Sequence, residues 1–273
     1  MSENLEQAPK GWLDRIFGLT RKKTSVRTEI IAGLTTFVAM AYIIFVNPSI
    51  LKEAGIPHEA AVAATLWSAA LCTLAMGFFA NIPVAVAPGM GLNAFFTFYV
   101  CNTLGLPWQT ALGAVFISGI VFLILTITKL RQLIIDSVPM SLKSAVVVGI
   151  GMFIAFVGLQ TSGLIIGSPA TKVTLGSMVD PKVLLSVLGI IIIGILLALK
   201  VKGAMLIGIV AVAVIGMIFG VSPAPTKVSD VISFNLPHFG ETFMAMDLIG
   251  AFHYGLFSIV FTFTVVELFD NIG

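Results

Sequence analysis

The stretch Ala80–Leu106, ANIPVAVAPGMGLNAFFTFYVCNTLGL, is apolar enough to lie within a bilayer, yet it cannot form one continuous helix. Pro83, Pro88, Gly89 and Gly91 interrupt it, and a proline in a helix interior costs about 3 kcal/mol. Val84–Ala87 therefore reads as a few extended residues, and Leu92–Cys101 as a half-helix starting near mid-membrane. Irregular backbone at that depth survives only where it is buried in protein or lines a cavity. Such a broken segment is also the best sequence pointer to a transporter's binding site. Asn93 falls in the first turn of the half-helix, where unpaired N–H groups and the positive end of the helix dipole face the cavity.

The rest of the chain makes a membrane setting unavoidable. Of its 273 residues 58% are hydrophobic and only 10% charged, against roughly 25% charged in a soluble domain. Apolar runs of spanning length are expected at Glu29–Val46, Ala60–Ala80, the broken segment, Thr110–Ile127, Ser144–Leu159, Val183–Leu199 and Gly203–Gly220. An eighth begins near His253–Tyr254 and is still running at Gly273. The expected fold class is all-α, polytopic and membrane-embedded.

Lys and Arg placement sets the orientation. With the N-terminus in the cytoplasm, Lys10, Arg15, Arg21, Lys22, Lys23, Arg27, Lys129, Arg131, Lys143, Lys200 and Lys202 lie inside. Only Lys52, Lys172, Lys182 and Lys227 lie outside, and this alternation holds only if the broken segment is one crossing. Gly11–Leu19 has apolar residues at helical spacing and suits either an interfacial amphipathic helix or a solvated tail. Gln132–Pro139 reads as an interfacial connection. Val221–Asp247 reads as an irregular outer loop, with Val231–Phe234 open to strand pairing. No cleavable signal sequence is evident. Gly33, Gly149, Gly151, Gly203 and Gly208 permit close helix approach, for which plain packing is sufficient.

Intramembrane polar groups are functional candidates by default. The amide of Asn93 offers donors and an acceptor suited to a planar heterocycle. Glu267 and Asp270, three residues apart, share a helix face. Asp270 lies about 24 Å along the helix from Tyr254, deep enough for burial to favour proton uptake. Glu267 reads first as a helix-interface or cytoplasm-facing carboxylate. Thr35, Thr36 and Tyr42, with Phe37, mark the first segment, although threonines in lipid usually bond back to their own helix. His253 reads as interfacial. Cys72 and Cys101 read as core residues rather than a disulfide or metal pair, and Met40, Met76, Met90 and Met152 as gap-fillers. No phosphate-loop, dinucleotide, zinc-protease or paired CxxC pattern occurs. The basic residues follow membrane sidedness rather than marking nucleic-acid binding. No metal or cofactor is expected.

RTEIIAGLTTFVAMAYIIFVNPSIL (Arg27–Leu51), NIPVAVAPGMGLNAFF (Asn81–Phe96) and VVELFDNIG (Val265–Gly273) together resemble the AzgA-like purine permeases. These are adenine/guanine/hypoxanthine transporters of the nucleobase–cation symporter-2 superfamily. The resemblance runs collinearly along the chain and implies the first seven-helix inverted repeat plus the start of helix 8, with helix 3 broken into a short strand and a half-helix. It implies a cytoplasmic tail at residues 1–28, core-bundle helices at 29–128, gate-bundle helices at 129–220, an outer loop at 221–252 and core helix 8 from 253 to 273. Carried over by position, Asn93 and Asp270 become substrate-binding residues. Gly91, Leu92, Thr36 and Phe37 line the site, and Asp270 with Glu267 couples protons.

The family's acidic partner on helix 10 has no position here. The sequence is therefore expected to be a fragment, with the backbone of Val84–Ala87 unpaired and no transport unless a second polypeptide completes the cavity. The expected function is part of a purine nucleobase importer in the plasma or inner membrane, driven by H⁺ or Na⁺, not an enzyme. The lipid bilayer is its surroundings, and a homodimer is an option for the full-length form. The alternatives are a sulfate-type anion transporter of the same architecture, which an acid at Asp270 disfavours, or a membrane fragment that transports nothing.

Overall fold

The computed structural model describes residues 11–222, 240, 242–253 and 257–270, without the side chains of residues 252, 253, 269 and 270. Helix α1 (Trp12–Phe17) closes on Gly18, which has a left-handed φ of 64° and sends its N–H to the Asp14 carbonyl. The buried Asp14 carboxylate accepts from the Thr20 N–H at 2.7 Å and from the Thr20 hydroxyl. The N-terminal amphipathic stretch is thus a six-residue helix with the following turn folded back onto it.

The first apolar segment is longer than predicted. Helix α2 (Val26–Met40) starts at Ser25, whose hydroxyl accepts from Thr28 N–H, and α3 (Ile43–Glu53) continues it after a two-residue break. The two make a 28-residue apolar stretch. Pro48 lies inside α3, and its ring crowds the carbonyl four residues back. The break at Ala41–Tyr42 falls just ahead of that carbonyl and is spanned by tightened bonds from Ile44 N–H to Ala41 O and Phe45 N–H to Tyr42 O. The predicted end at Val46 is therefore corrected: Asn47 and Pro48 are helical.

Helix α4 (His58–Ala75) continues through a π-helical turn (Met76–Ala80) to Asn81, which is left-handed at φ 52°. After an extended arm, α5 (Met90–Ala94) runs directly into a π-helical stretch (Phe95–Thr103), so the half-helix is one continuous rod from 90 to 103. Then come α6 (Trp108–Ile127), α7 (Leu130–Ser137), which is the predicted interfacial connection, and α8 (Met140–Thr161). An antiparallel hairpin follows, β1 (Ile165–Ser168) with β2 (Lys172–Leu175), Ile165 opposite Leu175 and Ser168 opposite Lys172. Helices α9 (Pro181–Ala198), α10 (Ala204–Ile218), α11 (Leu248–His253) and α12 (Phe257–Asp270) complete the order.

Five helical stretches among the described residues are long and apolar enough to cross a membrane, and α10 and α12 are shorter apolar helices. With the broken segment they account for the eight predicted runs, and the chain is an all-α polytopic membrane protein. One further correction is local: the hairpin was not predicted. Helix α11 begins just after the expected irregular stretch Val221–Asp247. Its Asp247 carboxylate caps α11 at the Gly250 N–H (2.8 Å), while Asp247 N–H reaches the Gln109 carbonyl (3.0 Å), pinning α11 on α6. Val231–Phe234 lies outside the described residues.

The core gathers around the half-helix. Phe96, Val100, Cys101, Ala111, Ala114 and Phe263 are all buried in one cluster. Phe263 of α12 meets Phe95 edge-on at 5.3 Å, and Phe95 stacks on Tyr99. By contrast Val147, Val148 and Met152 of α8 are exposed, as suits a lipid-facing surface. Cys101 is buried but Cys72 faces outward and neither is bonded, so the core reading is corrected for Cys72. The glycines divide in the same way. A Cβ on Gly208 would run into Ile193, and one on Gly203 into Val38, whereas Gly33, Gly149 and Gly151 have no neighbour within 4 Å.

Candidate functional site

The half-helix begins without a side-chain cap. Gly89 is extended (φ −70°, ψ 119°), and the first bond of the helix runs from the Asn93 N–H to the Gly89 carbonyl at 3.2 Å. The open donors of the first turn therefore precede Asn93, at Gly91 and Leu92. Gly91 is buried, and Leu92 and Asn93 are half-buried.

Asn93 does not stand alone. Its Nδ2 donates to Oδ1 of Asn47, whose Nδ2 donates to Thr65 Oγ1 at 2.8 Å, and the Thr65 hydroxyl donates to the Ala61 carbonyl at 2.7 Å. Asn47 and Thr65 are each only 2% exposed. Three helices thus contribute one polar residue each to a buried row. A cavity of about 280 Å³ lies against it, lined by Asn47, Thr65 and Asn93 with Leu92, Phe96 and Trp108. Its polar groups named here are neutral amides and hydroxyls, and two of its walls are aromatic.

Sequence reasoning singled out Asn93 and did not single out the two residues bonded in a row behind it. Asn47 fell just beyond the predicted end of the first segment, because an Asn-Pro pair has the composition of a turn. Thr65 is a hydroxyl in the alanine-rich first half of α4. The signal that would have found Asn47 is the length of the apolar run: continued through Pro48, it leaves a polar amide inside the membrane.

Thr36 and Phe37 sit elsewhere. They line a second cavity of about 700 Å³ between α2, α4 and the arm residues Ile82–Ala85. The Thr36 hydroxyl donates to its own helix at Ala32 (2.9 Å), as Thr35 does at Ile31 (2.8 Å). Thr65 lines both cavities. Glu267 is half-buried on α12, which packs against α5 and α6. Asp270 ends that helix, and its side chain, like that of His253, lies outside the described residues.

The expectation of an unpaired arm is corrected at two points. Thr73 Oγ1 accepts the Val86 N–H at 3.0 Å and donates to the Val86 carbonyl at 3.2 Å, and the Val84 N–H reaches Ile82 O at 2.9 Å. A single hydroxyl thus stands where a neighbouring strand would supply the two bonds. No strand pairs with the arm among the described residues. Among those residues no group of three His, Cys, Asp or Glu is placed to hold a metal ion.

A family model described as the permease family matches residues 27–273. The chain belongs to that family. It is 46% identical over 96% of its length to a putative permease of Methanocaldococcus jannaschii, 59% of which is covered. It is 42% identical over 97% of its length to an adenine permease of Escherichia coli and 40% identical over 94% to a guanine/hypoxanthine permease of Bacillus subtilis, covering 58% and 60% of them. The chain spans about three-fifths of the length of these curated relatives.

Proposed function

We propose that this chain forms the ligand-binding part of a secondary active transporter that imports purine nucleobases by proton symport. The observation that carries the reading is the neutral Asn93–Asn47–Thr65 row at the open start of a half-helix, beside the aromatic walls of Phe96 and Trp108. Neutral amides match the N–H and ring-nitrogen edges of an uncharged planar base, and aromatic faces match its π-surface. The names of the Escherichia coli and Bacillus subtilis relatives point to adenine, guanine or hypoxanthine.

In this reading the ligand sits at Gly91–Asn93, with Asp270 as its acidic contact and Thr36 and Phe37 facing it from the larger cavity. Protonation of Asp270, seconded by Glu267, couples transport to the proton gradient. The core helices of 29–128, with residues 253–273, move against the gate helices (129–220) to alternate access, in the cell membrane with the N-terminus in the cytoplasm. Uptake of radiolabelled adenine, guanine and hypoxanthine by the whole permease, in cells lacking their own purine carriers, tests this. Import abolished by a protonophore and reduced at least tenfold by Asn93→Ala is expected. Absence of uptake for all three bases sinks the function, and full uptake by Asn93→Ala sinks the site.

A further inference from the structure

The hydrogen-bonded row behind Asn93 has a direction, and the direction decides which atom Asn93 offers to a ligand. The Ala61 carbonyl can only accept. A 2.7 Å approach between the Thr65 hydroxyl and that carbonyl requires a proton between the two oxygens, and the hydroxyl has only one to give. Thr65 Oγ1 is then left with lone pairs alone for Asn47, so the group that Asn47 turns to it, 2.8 Å away, must be the amide nitrogen. That turns Oδ1 of Asn47 towards Asn93, which must answer with its own nitrogen. The reverse order would face lone pair against lone pair at Ala61. Every member of the row except Asn93 is essentially sealed, with Asn47 and Thr65 at 2% exposure. A buried amide flipped out of register loses bonds it cannot replace from water.

We propose that Asn47 and Thr65 are specificity-determining positioning residues: they lock the Asn93 side chain so that its carbonyl oxygen faces the cavity as an acceptor, and the site selects ligands that present an N–H there. Asn93 Oδ1 has no hydrogen-bond partner among the described residues, whereas one of the two Nδ2 protons is committed to Asn47. Asn93 acts on the ligand, and Asn47 and Thr65 act through Asn93. The inference rests on the proposed nucleobase site and adds to it the polarity of one contact. A site built around an acceptor rejects an analogue lacking the matching donor far more strongly than it distinguishes apolar shapes.

The test uses Thr65→Val, which keeps the side chain's shape and removes the hydroxyl, with Thr65→Ser as the conservative control. Competition against radiolabelled base uptake by the whole permease is measured for purines that each lack one N–H, by N-methylation or by loss of an amino group. In the wild type one analogue should compete at least tenfold less well than its parent. Thr65→Val should shrink that ratio below threefold, and Thr65→Ser should preserve it. An unchanged ratio in Thr65→Val, with uptake intact, overturns the relay while leaving the transport function standing.

A second measurement does not depend on what is carried. The side-chain amide protons of Asn93, followed by NMR in detergent, should exchange at least tenfold faster in Thr65→Val than in wild type or Thr65→Ser. Equal exchange in all three overturns the proposal even if no purine is transported. Wild-type protection lost only in Thr65→Val supports it in that same case.

Discussion

The two halves of the broken segment are held in opposite ways. The half-helix at 90–103 is packed: Gly91, Ala94, Phe96 and Val100 are buried, and Phe263 closes over Phe95. The arm before it is tethered. Ile82, Pro83 and Val84 are exposed, and the described bonds that tie the arm to other elements come from one hydroxyl at Thr73, from the Ile82 N–H to the Met76 carbonyl at 3.4 Å and from the Asn81 corner. Packing distributes a position over many contacts, so the loss of one is partly absorbed. A tether concentrates it on one or two bonds, and losing them frees the segment without unfolding anything else. Asn93 stands at the junction, on the packed side.

The largest effect should come from the packed half. Phe263 is fully buried, and Phe263→Ala removes a ring from the core that seats the half-helix. Cavity-forming changes of this kind cost about 3–5 kcal/mol. The thermal unfolding midpoint in detergent should fall by several degrees, and amide exchange should accelerate together at Phe96, Val100 and Ala111. Acceleration confined to α12 would break the comparison, because it would mean that the half-helix holds its own place.

Thr73→Val should do less overall and more locally. It deletes both bonds to Val86 while keeping the side chain's volume, and each such bond is worth about 1 kcal/mol. Exchange at Val86 N–H should rise by roughly one to two orders of magnitude, with Phe96 and Val100 unchanged. A change spread evenly over arm and half-helix would show that the two are one cooperative unit.

How far these features could be read from residues alone follows the same division. Backbone chemistry was legible: Pro83, Pro88, Gly89 and Gly91 placed the break, and eight apolar runs gave the crossings. Asn93 stood out as an amide in the first turn of such a helix, and the structure removes the bland reading that it only caps that turn, because the helix starts without a side-chain cap. Asn47 was not, because Asn-Pro is a turn signal that tertiary packing overrode when α3 ran on to Glu53. Thr65 and Thr73 were hidden for another reason. Helical threonines usually bond back to their own turn, as Thr36 and Thr65 both do, and only the fold shows that Thr65 also accepts from Asn47 and that Thr73 bonds to Val86 instead. The β1–β2 hairpin escaped because its strands are four residues each, too short for alternation to stand out.

The smallest effect is expected at the start of the arm, and it tests whether the tether begins in the N-terminal turn. The Lys22 ammonium donates to both the backbone carbonyl and Oδ1 of Asn81 at 2.7 Å, and Asn81 Nδ2 donates to the Phe17 carbonyl at 3.2 Å. Asn81 is left-handed, a conformation asparagine tolerates better than most residues. The N-terminal turn therefore clamps the corner from which the arm departs, with Phe17 against Phe78 at 5.9 Å beside it. The two Lys22 bonds are exposed, so each is worth about 1 kcal/mol or less. Lys22→Met should quicken exchange at Asn81 and Ile82 by about fivefold and leave Val86 to the Thr73 hydroxyl. Lys22→Arg, which still donates, should behave as wild type. If Lys22→Met also released Val86, the arm would be one lever clamped at its N-terminal foot, and the packed and tethered halves would meet at Thr73 rather than at Asn93.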